Sequence, residues 1–157
     1  MIKIISVGKI KEKYLIDGTI EYAKRLSKYT KLEMIELKDI PIPNNASILE
    51  EEKIKAEEGK EILSKIKDEY VISLDIKGEM LDSISFSKKI EDINTTKSSK
   101  ITFVIGGSLG LSDEVLKRSD YRLSFSPMTF PHQLFKLILL EQIYRAYKIQ
   151  THEIYHK

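Results

Sequence analysis

Two loops and three histidines hold most of the residues whose types and spacing suit chemistry. Residues 105–110 read IGGSLG and follow directly on the β-branched run Ile101 to Ile105. Glycines at the end of a strand let a ligand approach the backbone closely, although a structural turn needing a positive φ at one glycine explains the same spacing. The Lys and Ser or Thr of a Walker loop are missing, as is the full GxGxxG of a dinucleotide fold, so nucleotide triphosphate hydrolysis is unsupported. The second loop, SFSPMTFPHQ at 124–133, sets Pro127 and Pro131 among two aromatics, a methionine and small hydroxyl residues. Apolar rings beside exposed main-chain donors and acceptors suit the faces and edge of an adenosine moiety, and they equally suit a core. A phosphate-rich ligand would instead ask for Lys, Arg or a run of free amides.

The histidines stand at 132, 152 and 156. No HExxH spacing joins them, and cysteine is absent, which removes thiolate chemistry, disulfides and most structural zinc sites. No metal is expected.

The elements that must position these loops alternate between strand and helix. Ile2 to Val7 is a strand ended by Gly8, and Glu12 to Lys28 carries apolar residues at near-helical spacing. Leu32 to Leu37 is a second strand, followed by the extended IPIPNNAS segment. Ser47 and Glu50 form a candidate capping box for a charged helix running to about Ile66. Tyr70 to Leu74 reads as a buried strand that stops at Asp75, where IKGE turns the chain. Ile84 to Ile93 is a helix with Ser83 or Ser85 as its cap, and NTTKSSK is a polar loop. Ile101 to Ile105 is the central strand, Asp113 to Arg118 a short helix and Tyr121 to Phe125 the last strand. Pro131 suits the first turn of a long final helix, His132 to Ile149. That helix is apolar round more of its circumference than one sheet face requires, so it is either central to the core or packed on a second subunit.

Repeated β-α units with short connections imply an α/β fold, a mostly parallel sheet with helices on both faces. At 157 residues the chain suits one domain, residues 1–157. Such sheets bind ligands beyond the carboxyl ends of their strands. Three loops qualify, after Leu74, after Ile105 and after Phe125. No apolar run reaches membrane-spanning length, and the N-terminus lacks a signal-peptide apolar region, so a soluble cytoplasmic protein is expected. Net charge is only +2, yet residues 1–31 carry eight Lys or Arg against three acids, whereas residues 44–69 carry eight acids against five lysines. The basic third suits RNA phosphates or simply a solvated surface.

The strand with IGGSLG, then LSFSPMTFPHQL, LLEQIYRAYKI and a terminal YHK, together with KIISVGKIKEKY at the start, resemble the ribosomal RNA large subunit methyltransferase H family of the SPOUT class. The resemblance covers essentially the whole chain. It implies a homodimer, a C-terminal trefoil knot (the SPOUT or α/β knot) over about residues 70–157, and S-adenosyl-L-methionine as cofactor. The reaction it implies is methylation of N3 of a pseudouridine in 23S ribosomal RNA on the assembled ribosome. Carried over, the cofactor contacts are Leu74, Gly106, Phe125, Ser126, Pro127, Met128, Thr129 and Phe130. His156 is the expected proton acceptor, Tyr155 a hydrogen-bonding or stacking partner of the base, and His132 a neutral imidazole at a helix start or a core residue. Arg145 suits an RNA phosphate or the anionic ring, or a plain pair with Glu141. Lys9, Lys11 and Lys13 are candidates for RNA-backbone contacts, while Arg25 and Lys28 read as solvated helix charges. The tail departs from the family pattern: Thr151 and His152 stand where many members have an Arg-Gly pair or an asparagine. The alternatives are a methyltransferase for another RNA such as transfer RNA, and a ribosome-binding module without chemistry.

Overall fold

A computed structural model describes all of residues 1–157. Five strands, β1 (Ile2–Val7), β2 (Leu32–Leu37), β3 (Tyr70–Met80), β4 (Ile101–Ile105) and β5 (Tyr121–Ser124), alternate with five helices. The helices are α1 (Lys13–Leu26), α2 (Ile48–Ser64), α3 (Ser83–Thr96), α4 (Asp113–Arg118) and α5 (His132–Gln150). Every strand pair is parallel, and the order across the sheet is β2-β1-β4-β3-β5. All five residues of β4 are buried, as its unbroken apolar and β-branched run requires of a strand covered on both faces.

Alternating residues of each strand feed two separate cores. Ile2, Ile4, Phe103 and Ile105 point into the larger one, beneath α1, α3 and α5, whereas Ile5, Val7 and Val104 point into a smaller one beneath α2 and α4. None of the residues of α5 is fully exposed, because the helix lies in the groove between α1 and α3. Its apolar residues Leu139, Leu140, Ile143, Tyr144 and Ala146 are thereby buried within one chain, while Leu134 and Ile138 are only half-buried. No helix is long and apolar enough to cross a membrane.

Two local expectations are corrected. β3 does not stop at Asp75: residues 75–78 bulge out, and Glu79 and Met80 rejoin β5 opposite Leu123 and Ser124. Asp75 clamps the bulge through Arg122 Nε at 2.8 Å, and Gly78 lies so close to β5 that a Cβ there would come within 2.6 Å of the Arg122 carbonyl oxygen. A turn-like IKGE is held as strand by pairing across 40-odd residues, which local propensity does not register. The second correction is the cap of α3, which is Asp82, not Ser83 or Ser85. Its carboxylate accepts from Ser85 N at 2.7 Å, and that bond holds its pKa below the ordinary aspartate value. The helix then runs on to Thr96, into the stretch expected to be loop. Smaller differences fall at helix ends, where α1 begins at Lys13 and stops at Leu26, and α2 stops at Ser64. Ser47 caps α2 as expected, accepting from Glu50 N at 3.1 Å.

Candidate active site

The three loops expected at the carboxyl ends of the strands meet around one cleft of about 350 Å³. The first wall is Leu74 with Asp75 and Ile76 of the β3 bulge. The second is the glycine loop. Gly110 has φ +84° and donates to Gly107 O at 3.0 Å, closing a tight turn, and a Cβ on Gly106 would sit 2.9 Å from the Gly110 carbonyl. Gly107 in turn passes over the buried Glu58 of α2, whose carboxylate would lie 3.3 Å from a Cβ there; burial pushes that carboxyl above its ordinary range.

The third wall is residues 125–130. Phe125 packs edge-on to Phe135 at 4.9 Å, and Phe130 stacks on the same ring at 6.1 Å. Ser126 Oγ accepts from Met128 N at 3.0 Å, so proline stiffness and a side-chain turn together shape the loop. Phe125, Ser126, Met128, Thr129 and Phe130 all line the cleft beside Leu74 and Gly106, and Pro127 alone of the expected contacts lies off its surface. The aromatics both line the cleft and pack, since Phe125 also lies against the larger core.

Leucines at 109, 111, 116 and 123 complete an apolar interior, with Ser108, Ser124, Ser126 and Thr129 supplying hydroxyls. No lysine or arginine lines it, and its one carboxylate is Asp75. Such a site fits a ligand with an aromatic face and no phosphate, and it tolerates a cationic centre. His132 lines the same cleft from the start of α5. Its Nε2 stands 3.0 Å from where a Cβ on Gly8 would be, and Gly8, at φ +92°, is the residue type that both fits and bends there.

The remaining expected catalytic residues gather elsewhere. Glu141 Oε1 accepts from Arg145 Nη2 at 2.6 Å and from the Tyr155 hydroxyl at 3.1 Å, and Arg145 lies 4.7 Å from the Tyr155 ring centre. Burial, followed by hydrogen bonds with Tyr22 and Glu141, pushes the Tyr155 phenol well above its ordinary pKa, so it stays a neutral donor. Arg145 Nη1 contacts His156 Nδ1 at 3.1 Å. A guanidinium only donates, which assigns Nδ1 as acceptor and places the ring proton on Nε2. His156 must therefore part from Arg145 before Nδ1 can take a proton.

This group is about 20 Å along α5 from His132, at 1.5 Å per residue. His156 lines a second cleft of about 510 Å³, with Leu81, Ile84, Phe86, Ile138 and Gln142. Leu123 and Phe125 belong to the walls of both clefts, so they form the partition between them. Lys9 and Lys11 are exposed on the loop after β1, beside His132 and Gln133, while Lys13 is engaged with Asp17 at 2.6 Å. Arg25 pairs with Glu21 and lies half-buried 5.0 Å over the Tyr22 ring, and Lys28 is exposed but lies beyond the end of α1.

Comparison with known proteins bears on this arrangement. The family described as "Predicted SPOUT methyltransferase" matches residues 1–156. The chain belongs to the SPOUT methyltransferases. Within the family it is 61% identical over 157 residues to ribosomal RNA large subunit methyltransferase H 1 of Clostridium perfringens (strain SM101 / Type A), covering 99% of each chain. It is 59% identical, with the same coverage, to ribosomal RNA large subunit methyltransferase H of Clostridium acetobutylicum. The solved tRNA (m1G37) methyltransferase of Aquifex aeolicus shares the SPOUT fold, with a TM-score of 0.55 at 14% identity over 92% of this chain and 69% of that one. A probable methylase family protein of Haemophilus influenzae Rd KW20 does so at a TM-score of 0.52 and 15% identity, over 99% of this chain and 70% of that one. This SPOUT methyltransferase is thus an enzyme with a parallel α/β fold.

Sequence reasoning missed Asp75, Leu109, Leu111 and Phe135 as parts of the cleft. The leucines were visible as apolar residues at alternate positions in a glycine-rich loop, a pattern a purely solvated loop would lack. Lys136 left no such signal: it reads as an ordinary charge on a helix, yet it is buried.

Proposed function

We propose that this SPOUT methyltransferase transfers a methyl group from S-adenosyl-L-methionine to N3 of a pseudouridine in 23S ribosomal RNA, acting on the assembled ribosome in the cytoplasm. The observation that carries the reading is the apolar, cation-free cleft at the three strand ends, in a chain 61% identical to a large-subunit RNA methyltransferase. Residues 1–157 act as one domain, with residues 70–157 forming the knotted cofactor region. The route of the chain supports that threading, because residues 125–131 must return from the edge strand β5 to deliver α5 between α1 and α3. A homodimer is supported by Ile16 and Ile20, exposed on α1, and by Ile84 of α3, exposed in the cleft that half-buried Ile138 of α5 also lines.

Leu74, Gly106 and the walls Phe125, Ser126, Met128, Thr129 and Phe130 would hold the cofactor, with Pro127 stiffening the loop. S-adenosylmethionine supplies an already activated methyl group on a sulfonium, so the chain's own task is to prepare the nucleophile. N3 of a neutral base carries a proton that must leave as the N–C bond forms. His156 Nδ1 accepts it once released from Arg145, and the freed guanidinium faces the negative charge left on the ring. Tyr155, a neutral donor, orients the base, and His132 borders the cofactor cleft. Lys9, Lys11 and Lys13 contact RNA phosphates.

Calorimetric titration with S-adenosylmethionine, with Gly106→Arg checked for folding, tests the cleft. Saturable binding lost in the folded variant, and methyl transfer to ribosomes lacking the modification, are the expected results. Methylation of transfer RNA instead would reassign the substrate. Absence of cofactor binding, even with ribosomes added, would leave a binding module without chemistry.

A further inference from the structure

Lys136 is a lysine with 2% of its surface exposed, on a helix whose neighbours give it one carboxylate to face. Its Nζ lies 3.7 Å from Glu36 Oε2, and removing an ammonium from water costs several kcal/mol unless a counter-charge offsets it. Burial lowers its pKa and the facing carboxylate opposes that shift. Ser6, the register partner of Glu36 on β1, has a buried hydroxyl with no partner, as does Thr19 of α1. A polar layer thus lies within the larger core, on the sheet face that α1 and α5 cover.

The same Glu36 oxygen accepts from the backbone N–H of Ile10 at 3.1 Å. The adjacent N–H of Lys11 donates to Gln133 Oε1 at 3.2 Å, and Gly8 N donates to Leu37 O at 2.8 Å. The loop after β1 is therefore tied at three successive points to the end of β2 and the first turn of α5. Gln133 lies three residues after Phe130, where the cofactor loop ends, and Lys136 lies about one turn further along the same helix. Lys9 and Lys11 project from this tethered loop.

We infer that Lys136, Glu36 and Gln133 are positioning residues for RNA: the buried ammonium holds the Glu36 carboxylate under Ile10, and Gln133 holds Lys11, so that the two lysines meet RNA phosphates as a pre-set pair at the rim of the cofactor cleft. The inference rests on the RNA-methylating reading of this site. Pre-organisation matters because an ordered loop loses less freedom on binding than a mobile one.

The test compares the wild-type enzyme with Gln133→Ala and with the double variant E36A/K136M, which removes both charges together and so leaves no buried charge unpaired. Hydrogen exchange at the Ile10 and Lys11 amides, cofactor affinity, and the KM for ribosomes against salt concentration are measured on each. The expected result is faster exchange at those amides, unchanged cofactor affinity, and a KM for ribosomes raised about 10-fold. The slope of log affinity against log salt should be shallower by about 1 to 2, as fewer phosphates are engaged. A merely structural role would leave that slope unchanged. Faster exchange with KM and salt slope unaltered would overturn the inference, as would unaltered exchange in the folded double variant. A wild-type enzyme that binds cofactor but shows no ribosome-dependent transfer would overturn the functional reading itself, an outcome distinguishable from both.

Discussion

Replacing Lys3 by methionine should destabilise this protein by about 3 kcal/mol at neutral pH, and most of that loss should disappear in acid. Lys3 on β1 pairs with Glu69, whose side chain is almost entirely buried just before β3. Lys3 Nζ also donates to Lys65 O at 2.8 Å, and the carboxylate accepts from Lys67 N at 2.9 Å and Thr102 Oγ1 at 3.2 Å. Burial by itself would raise the Glu69 pKa; the Lys3 hydrogen bond and the backbone N–H donors outweigh it and bring the pKa from 4.5 to about 2. A depression of that size, at 1.36 kcal/mol per unit, corresponds to about 3 kcal/mol. This contribution is fully present above pH 4.5 and is lost as pH falls toward 2. Urea unfolding of both proteins at pH 7 and near pH 2.5 measures the difference. The reasoning is refuted if the deficit is below about 1 kcal/mol at pH 7, or if it is equally large at both pH values, since a packing loss would not titrate.

Gly59→Ala should cost about 1 to 3 kcal/mol, because the new Cβ would stand 2.3 Å from Ser112 Oγ, the cap of α4, and thermal melts should shift down by several degrees. His152 holds φ +56° after α5, so His152→Gly should raise stability by about 0.5 to 1 kcal/mol; a lower melting temperature would show that the side chain contributes more than the backbone loses. His156→Gln should lower kcat for ribosome methylation by about 100-fold or more while leaving cofactor affinity intact, and activity within threefold of wild type would remove His156 as the proton acceptor.

His152 also bears on the tail, where the sequence departs from the pattern that the family resemblance implies. A position in left-handed conformation favours glycine or asparagine, and this chain places a histidine there, with Thr151 Oγ1 bonded back to Tyr147 O at 2.9 Å and to Glu153 Oε1 at 3.0 Å.

Strand and helix identity were legible in the sequence because they follow from local periodicity: the apolar run of β4, the capped charged α2 and the proline-led α5 all appear where the pattern places them. So did the three strand-end loops, since a parallel sheet must gather its carboxyl ends on one edge, and the lack of any lysine or arginine in residues 124–133 already argued against a phosphate-rich ligand. What depended on distant partners was not legible. The extension of β3 past Asp75 exists only because β5 pairs with it, Glu58 reaches Gly107 from a position 49 residues earlier in the chain, and Phe125 divides two clefts whose walls come from separate β-α units. Likewise only the tertiary structure separated His132 from the Arg145, Tyr155 and His156 group and buried Lys136 beneath a loop 120-odd residues away in the chain. Local sequence sets which conformations are cheap for a few residues at a time; which side chains share a cleft is set by how whole elements pack, and no short-range pattern records that.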